Sequence, residues 1–175
     1  MQIVRIPSER IAILLGEGGQ TKSYLEERMK VTIKIDSEGA IQLIGEPVDE
    51  FIAKDVIKAI GRGFEPSHAL KLLSDEYGLR IINLRDYAKN KKAMMRIKGR
   101  IIGEKGRTKE IIYEEVGADV AVFGHTVAVI SKLETLDYAT SAIFKIIEGS
   151  PHSAVYAYLE KCRRKIREDE IRNMF

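Results

Sequence analysis

Two stretches of this 175-residue chain set paired glycines beside cations in a pattern suited to holding a phosphate. They are Leu14-Leu15-Gly16-Glu17-Gly18-Gly19-Gln20-Thr21-Lys22 and Ile101-Ile102-Gly103-Glu104-Lys105-Gly106-Arg107-Thr108-Lys109. In each, a Gly-x-x-Gly tetrapeptide separates two apolar helical patterns: Ile11 to Leu15 and Tyr24 to Met29 in the first, Ile97 to Ile102 and Ile111 to Val116 in the second. Glycine at both ends permits positive φ for a sharp reversal and removes the Cβ that would keep a sugar-phosphate backbone at a distance. The turn opens onto a helix whose unpaired N–H groups and roughly +0.5 terminal partial charge attract an anion.

The two loops differ in charge. In the second, Lys105, Arg107 and Lys109 offset Glu104, and the preceding helix brings Lys98 and Arg100. In the first, Glu17 has only Lys22 near it, with Gly18 and Gln20 elsewhere, so attraction for phosphate is weaker. Overall charge says little, with Lys+Arg 29 against Asp+Glu 26. Its distribution says more: residues 1–87 carry 12 Lys+Arg and 14 Asp+Glu, residues 88–175 carry 17 and 12. Nine basic residues fall between Lys89 and Lys109 against the single acid Glu104, as a polyanion-binding surface requires. A solvated helix face is the other meaning of such a run.

Other chemistries find little support. No Gly-Lys-Ser/Thr follows the spacing of a phosphate-binding loop, and neither Gly16-Glu17-Gly18-Gly19 nor Gly61-Arg62-Gly63 completes Gly-x-Gly-x-x-Gly. The carboxylate pairs Glu26-Glu27 and Glu114-Glu115 fit a helix surface better than a catalytic pair. Cys162 is the one cysteine and the three histidines are scattered, so neither a disulfide nor a metal site is expected, nor any cofactor or catalytic residue. No apolar run approaches the roughly 18 residues of a membrane span, and Gln2 to Ile6 reads as a strand with no leader before it; a cytoplasmic protein without membrane contact is expected.

The elements that must position the loops repeat at an offset of 87 residues. Val31, Ile33 and Ile35 fall on Ala118, Val120 and Val122, each set alternating as a half-buried strand does. A second strand follows, Ala40 to Gly45 or Thr126 to Ser131, after the turns Asp36-Ser37-Glu38-Gly39 and Phe123-Gly124-His125. Helical patterns come next and end near Gly61 and Gly149, and a further helix opens at Pro66 and at Pro151, where a missing N–H costs nothing. A period this long means tandem domains rather than a solenoid. With Leu79 to Leu84 as the opening strand of the second copy, the division falls at residues 1–78 and 79–175. Each copy is expected to be α+β: a three-stranded antiparallel sheet covered by helices, plus an added C-terminal helix.

An apolar pair followed by Gly-x-x-Gly in this element order resembles the type I KH domain, whose loop clamps four backbone nucleotides of RNA. The resemblance implies bases lying in an aliphatic groove floored by Ile102, Ile111 and Val120, with Gly103, Glu104, Lys105, Gly106, Arg107 and Lys109 at the loop and Lys98 and Arg100 on the helix before it. Gly16, Glu17, Gly18, Gly19, Gln20 and Lys22 form the weaker counterpart. With about three to five phosphates neutralised, log K falls with log salt at a slope of roughly −2 to −4. Thr-Lys after the second glycine in both copies, the paired domains and the Pro-led helix resemble the partner-of-Nob, or Dim-two-like, family of ribosome assembly factors, in its compact archaeal form. That family implies single-stranded RNA near the small-subunit rRNA 3′ end, a Nob-type endonuclease as partner, no enzymatic activity and a monomer. A KH protein acting on messenger RNA or an exosome, and a protein-binding scaffold, stay open beside it. Charge reversal at Lys105 and Arg107 separates the scaffold from the RNA binder.

Overall fold

A computed structural model describes residues 1–175 and divides by its contacts into two compact units, Met1–Leu79 and Arg80–Phe175. Alternating Val31, Ile33 and Leu43 put one face of the first sheet into a core, and the turn between its strands is made by Asp36. The Asp36 Oδ1 accepts from the N–H groups of Glu38 at 2.8 Å and Ala40 at 2.9 Å, and Gly39 takes φ +81°, so β2 (Val31–Ile35) returns antiparallel as β3 (Ala40–Gly45). With β1 (Gln2–Arg5) on the other side the order is β1-β3-β2, leaving one edge of β2 unpaired. Helices α1 (Ser8–Leu15), α2 (Gln20–Met29) and α3 (Pro47–Gly61) bury Leu14, Leu25, Val56, Ile57 and Ile60.

The second unit repeats the plan with strands β4 (Tyr77–Asn83), β5 (Asp119–Phe123) and β6 (Thr126–Lys132) in the order β4-β6-β5. Only Gly124 and His125 join β5 to β6, because Gly124 at φ +56° permits a two-residue turn. Helix α5 (Lys91–Ile102) starts at Asn90, whose side-chain oxygen accepts from the Ala93 N–H at 2.8 Å. Helices α6 (Arg107–Val116) and α7 (Leu133–Ile147) complete a core around Ile101, Ile112, Val120, Val129 and Ile143.

The added helices are unequal: α4 (Pro66–Ala69) is one turn followed by a 3₁₀ turn at Leu70–Leu73, whereas α8 (His152–Asn173) runs 22 residues. The difference lies in apolar spacing, since Val155, Leu159 and Cys162 give α8 a buried stripe that returns it to the core, while Ser74-Asp75-Glu76 turns the first copy directly into β4. In the second sheet every residue from Thr126 to Ser131 of β6 is buried.

One device recurs at the end of the third helix of each unit. In the first, Arg10 donates from Nε to the Ile60 carbonyl at 2.8 Å and from Nη2 to the Phe64 carbonyl at 2.9 Å. In the second, Arg100 donates from Nη1 to the Ile146 carbonyl at 2.6 Å and from Nη2 to the Ser150 carbonyl. The accepting carbonyls occupy equivalent positions, yet the arginines do not: Arg10 matches Ile97 in the repeat, and Arg100 matches Ile13.

Candidate nucleic-acid interface

The second Gly-x-x-Gly loop, Gly103 to Gly106 between α5 and α6, is closed by the Gly106 N–H donating to the Gly103 carbonyl at 3.1 Å. Gly103 ends α5 by donating its N–H to the Gly99 carbonyl at 2.9 Å, at φ +79° and ψ 168°, a conformation essentially reserved for glycine. A Cβ there would stand 2.6 Å from the Thr108 backbone nitrogen and 2.8 Å from the Thr108 Cβ. Thr108 is itself buried, and its hydroxyl lies 2.8 Å from the Tyr156 hydroxyl on α8. Lys105 is held in the left-handed region at φ +53°, costing roughly 1–2 kcal/mol for a residue with a Cβ. Gly106 follows at φ +76°, and a Cβ on it would meet nothing within 4 Å. The first glycine is therefore demanded by packing, and the second by backbone conformation beside open space.

The cations fall into separate groups. Lys105 is exposed and Lys109 half-buried, and neither makes an ion pair. Lys98 donates to the Gly124 carbonyl at 2.7 Å, which places its charge between α5 and the β5–β6 turn, on the same face of α5 as Ile102 one turn later. Arg107 lies along its own helix, 3.2 Å from Glu110 and 3.6 Å from Glu114, and the hydrogen bond to Glu110 with the charge of Glu114 raises its pKa above the ordinary arginine value. Arg100 differs from the other expected cations, because its guanidinium is committed to the Ile146 and Ser150 carbonyls at the end of α7.

Of the expected groove residues, Ile102 and Ile111 are half-buried and present surface, while Val120 is 6% exposed and belongs to the core. Val120 thus offers chiefly its main chain, on the unpaired edge of β5.

In the first copy the loop has the same backbone but a different lining. Gly16, Gly18 and Gly19 all have positive φ, and a Cβ on Gly16 would meet the Thr21 Cβ at 2.6 Å. Glu17 and Gln20 are exposed. Lys22 is 3.5 Å from Glu26 Oε1, and Oε2 of the same carboxylate accepts the Ile33 N–H on the free edge of β2 at 2.9 Å. Glu26 therefore neutralises the loop's cation and occupies the strand edge at once. The equivalent residue in the second copy is Tyr113, which brings no carboxylate.

Sequence reasoning missed three of these participants: Thr108 as the wall behind Gly103, Tyr156 as its support, and Glu26 as the occupant of the first groove. The repeated Thr two residues beyond each loop was the available signal. No group of His, Cys, Asp and Glu is arranged to hold a metal ion, and no helix is long and apolar enough to cross a membrane.

Comparison with known proteins bears on both units. Residues 78–164 match the model described as the eukaryotic-type KH domain, KH-domain type I, and residues 1–59 match the KH domain model. A KH domain-containing protein of Methanocaldococcus jannaschii is 37% identical over 172 residues, covering 95% of this chain and 76% of its own length. The pre-rRNA-processing protein pno1 of Aspergillus fumigatus is 32% identical over 118 residues, covering 66% of this chain and 47% of its own length. The crystal structure of the a/eIF2alpha-aDim2p-rRNA complex from Pyrococcus horikoshii OT3 contains a chain that is 45% identical, superposes with a TM-score of 0.86, and covers 94% of each chain.

Proposed function

The chain belongs to the Dim2/PNO1-like family of KH-domain proteins, and from that premise we infer that it is a non-enzymatic rRNA-binding factor of ribosome biogenesis whose grip on RNA is the Gly103–Gly106 loop. The observation that carries this reading is the meeting of a left-handed turn, open space beside Gly106 and two unpaired cations, Lys105 and Lys109, at the start of α6. A phosphodiester laid there meets main-chain amides with no side chain between, and each cation that neutralises a phosphate releases counterions. Bases would then rest against Ile102 and Ile111, with the edge of β5 at Val120 offering main-chain groups for hydrogen bonding. Lys98 and Arg107 contribute charge from the sides of this groove.

The first KH domain takes a different part. Glu17 at the loop, with Glu26 both pairing Lys22 and holding the Ile33 N–H, disfavours a polyanion in that groove. Its role is protein contact.

The RNA bound is single-stranded precursor rRNA near the small-subunit 3′ end, and the chain works there as a cytoplasmic monomer with a Nob-type endonuclease. The rRNA complex of the Pyrococcus horikoshii relative and the pre-rRNA-processing protein of Aspergillus fumigatus support the choice of rRNA as the RNA bound.

Gly106→Asp tests the groove, since the new carboxylate enters the open space without meeting a neighbour. A folded variant that binds single-stranded RNA as tightly as the parent would remove the basis for the assignment. Crosslinking in cells followed by sequencing of the attached RNA tests the location, with enrichment at the small-subunit 3′ end expected.

A further inference from the structure

The N-terminal half of α5 borders a second basic cleft, of about 550 Å³, outside the groove already described. Lys89, Lys92 and Arg96 line it with Tyr87, and Glu148 after α7 is the one acid on its wall. None of those three cations makes an ion pair, although Glu148 shares the cleft with them. Lys92 and Arg96 stand one turn apart on a single helix face, whereas Lys98, which serves the groove, is turned roughly 200° from Arg96 about the helix axis. The cleft and the groove therefore open on different sides of α5. Between the two faces lie Gly99, where a Cβ would meet nothing within 4 Å, and the exposed Met95.

The cleft also offers a surface for a base. Tyr87 is 49% exposed, and its ring is fixed by a T-shaped contact with Phe144, centroids 5.5 Å apart. A partly exposed aromatic held in one orientation beside unpaired cations has the two parts that sequence-tolerant binding of a single strand uses, a stacking platform and a phosphate track. Lys92 lies about 16 Å along the helix from Gly103, a distance that a few nucleotides span.

We propose that this cleft is a second nucleotide-binding site for the same RNA strand, with phosphates set against Lys92 and Arg96 and a base laid on Tyr87 after the strand leaves the Gly103 loop and crosses α5 at Gly99. The proposal rests on the RNA-binding reading of the groove, and it predicts a length dependence that the groove alone does not produce.

The test measures binding of the full chain to two random-sequence single-stranded RNA pools, one of about four nucleotides, the length a KH groove clamps, and one about three times longer. Replacing both cations (Lys92→Gln with Arg96→Gln) is expected to weaken binding of the longer pool roughly tenfold, lower its salt slope by about 1.4, and leave the shorter pool unchanged. Tyr87→Ala is expected to weaken the longer pool several-fold. Unchanged affinity for the longer pool in the double variant overturns the proposal, as does an equal loss on both pools. A Tyr87→Ala variant with no effect also overturns it, because the cleft is then a plain anion surface. Gly106→Asp keeps the two readings apart: short-pool binding that survives it defeats the groove, while the cleft is judged on the length-dependent loss in the double variant.

Discussion

Thr108 closes against Gly103 so tightly that a Cβ on the glycine would come within 2.6 Å of the threonine's backbone nitrogen. The buried threonine cannot move aside, because its hydroxyl meets Tyr156 at 2.8 Å. The consequence is that the two glycines of one motif answer to different constraints, and they should fail differently when replaced.

Gly103→Ala combines a backbone conformation closed to alanine with overpacking and should cost roughly 2–4 kcal/mol of stability. Gly106→Ala meets only the left-handed penalty, about 1–2 kcal/mol. Urea denaturation of the two variants measures the difference, and equal losses would contradict the packing role given to Thr108.

Lys105 and Arg107 should contribute unequally to the salt dependence of RNA binding. Lys105→Gln removes an unpaired charge at the loop and should reduce the slope of log K against log salt by about 0.7. Arg107→Gln should reduce it by less, since Glu110 and Glu114 already offset that charge. Titrations of a single-stranded RNA at several salt concentrations decide the matter, and the reverse order would refute it.

Arg100→Ala should unfold more readily and bind a short RNA as before. Two hydrogen bonds from a charged donor to helix-end carbonyls are lost, which corresponds to about 2 kcal/mol. Arg100→Lys should recover only part of it, because an ammonium cannot reproduce the planar fork. Thermal denaturation beside a binding measurement with the four-nucleotide pool provides both readings. A large drop in short-RNA affinity at full stability would return Arg100 to the binding surface.

Cys162 should resist thiol reagents in the native protein. It is buried against the core from α8, and that burial raises its thiol pKa, so little thiolate forms near pH 8. Labelling with a thiol reagent should go to completion in denaturant and barely proceed without it.

The repeated loop, the paired strands and the α+β plan were legible because each is written locally, as glycine spacing or as alternation between apolar and polar residues. What escaped depends on contacts far along the chain. Arg100 looked like a loop cation by proximity, but its partners are carbonyls 46 and 50 residues away. Val120 shares its alternation with a groove-lining residue, yet its exposure is settled by helices packed from elsewhere in the unit. Glu26 was read as ordinary helix surface, since nothing in its neighbours reveals that its carboxylate reaches the edge of β2 seven residues on.

The crossed placement of Arg10 and Arg100 limits how far the two halves can be treated as spare parts for one another. A chimaera carrying the first helix of one half in the body of the other would present its guanidinium on the wrong turn, and the carbonyls at the end of the third helix would go unanswered. Grafting the loop alone, from Gly103 to Gly106, leaves that clamp in place and is the exchange the architecture tolerates.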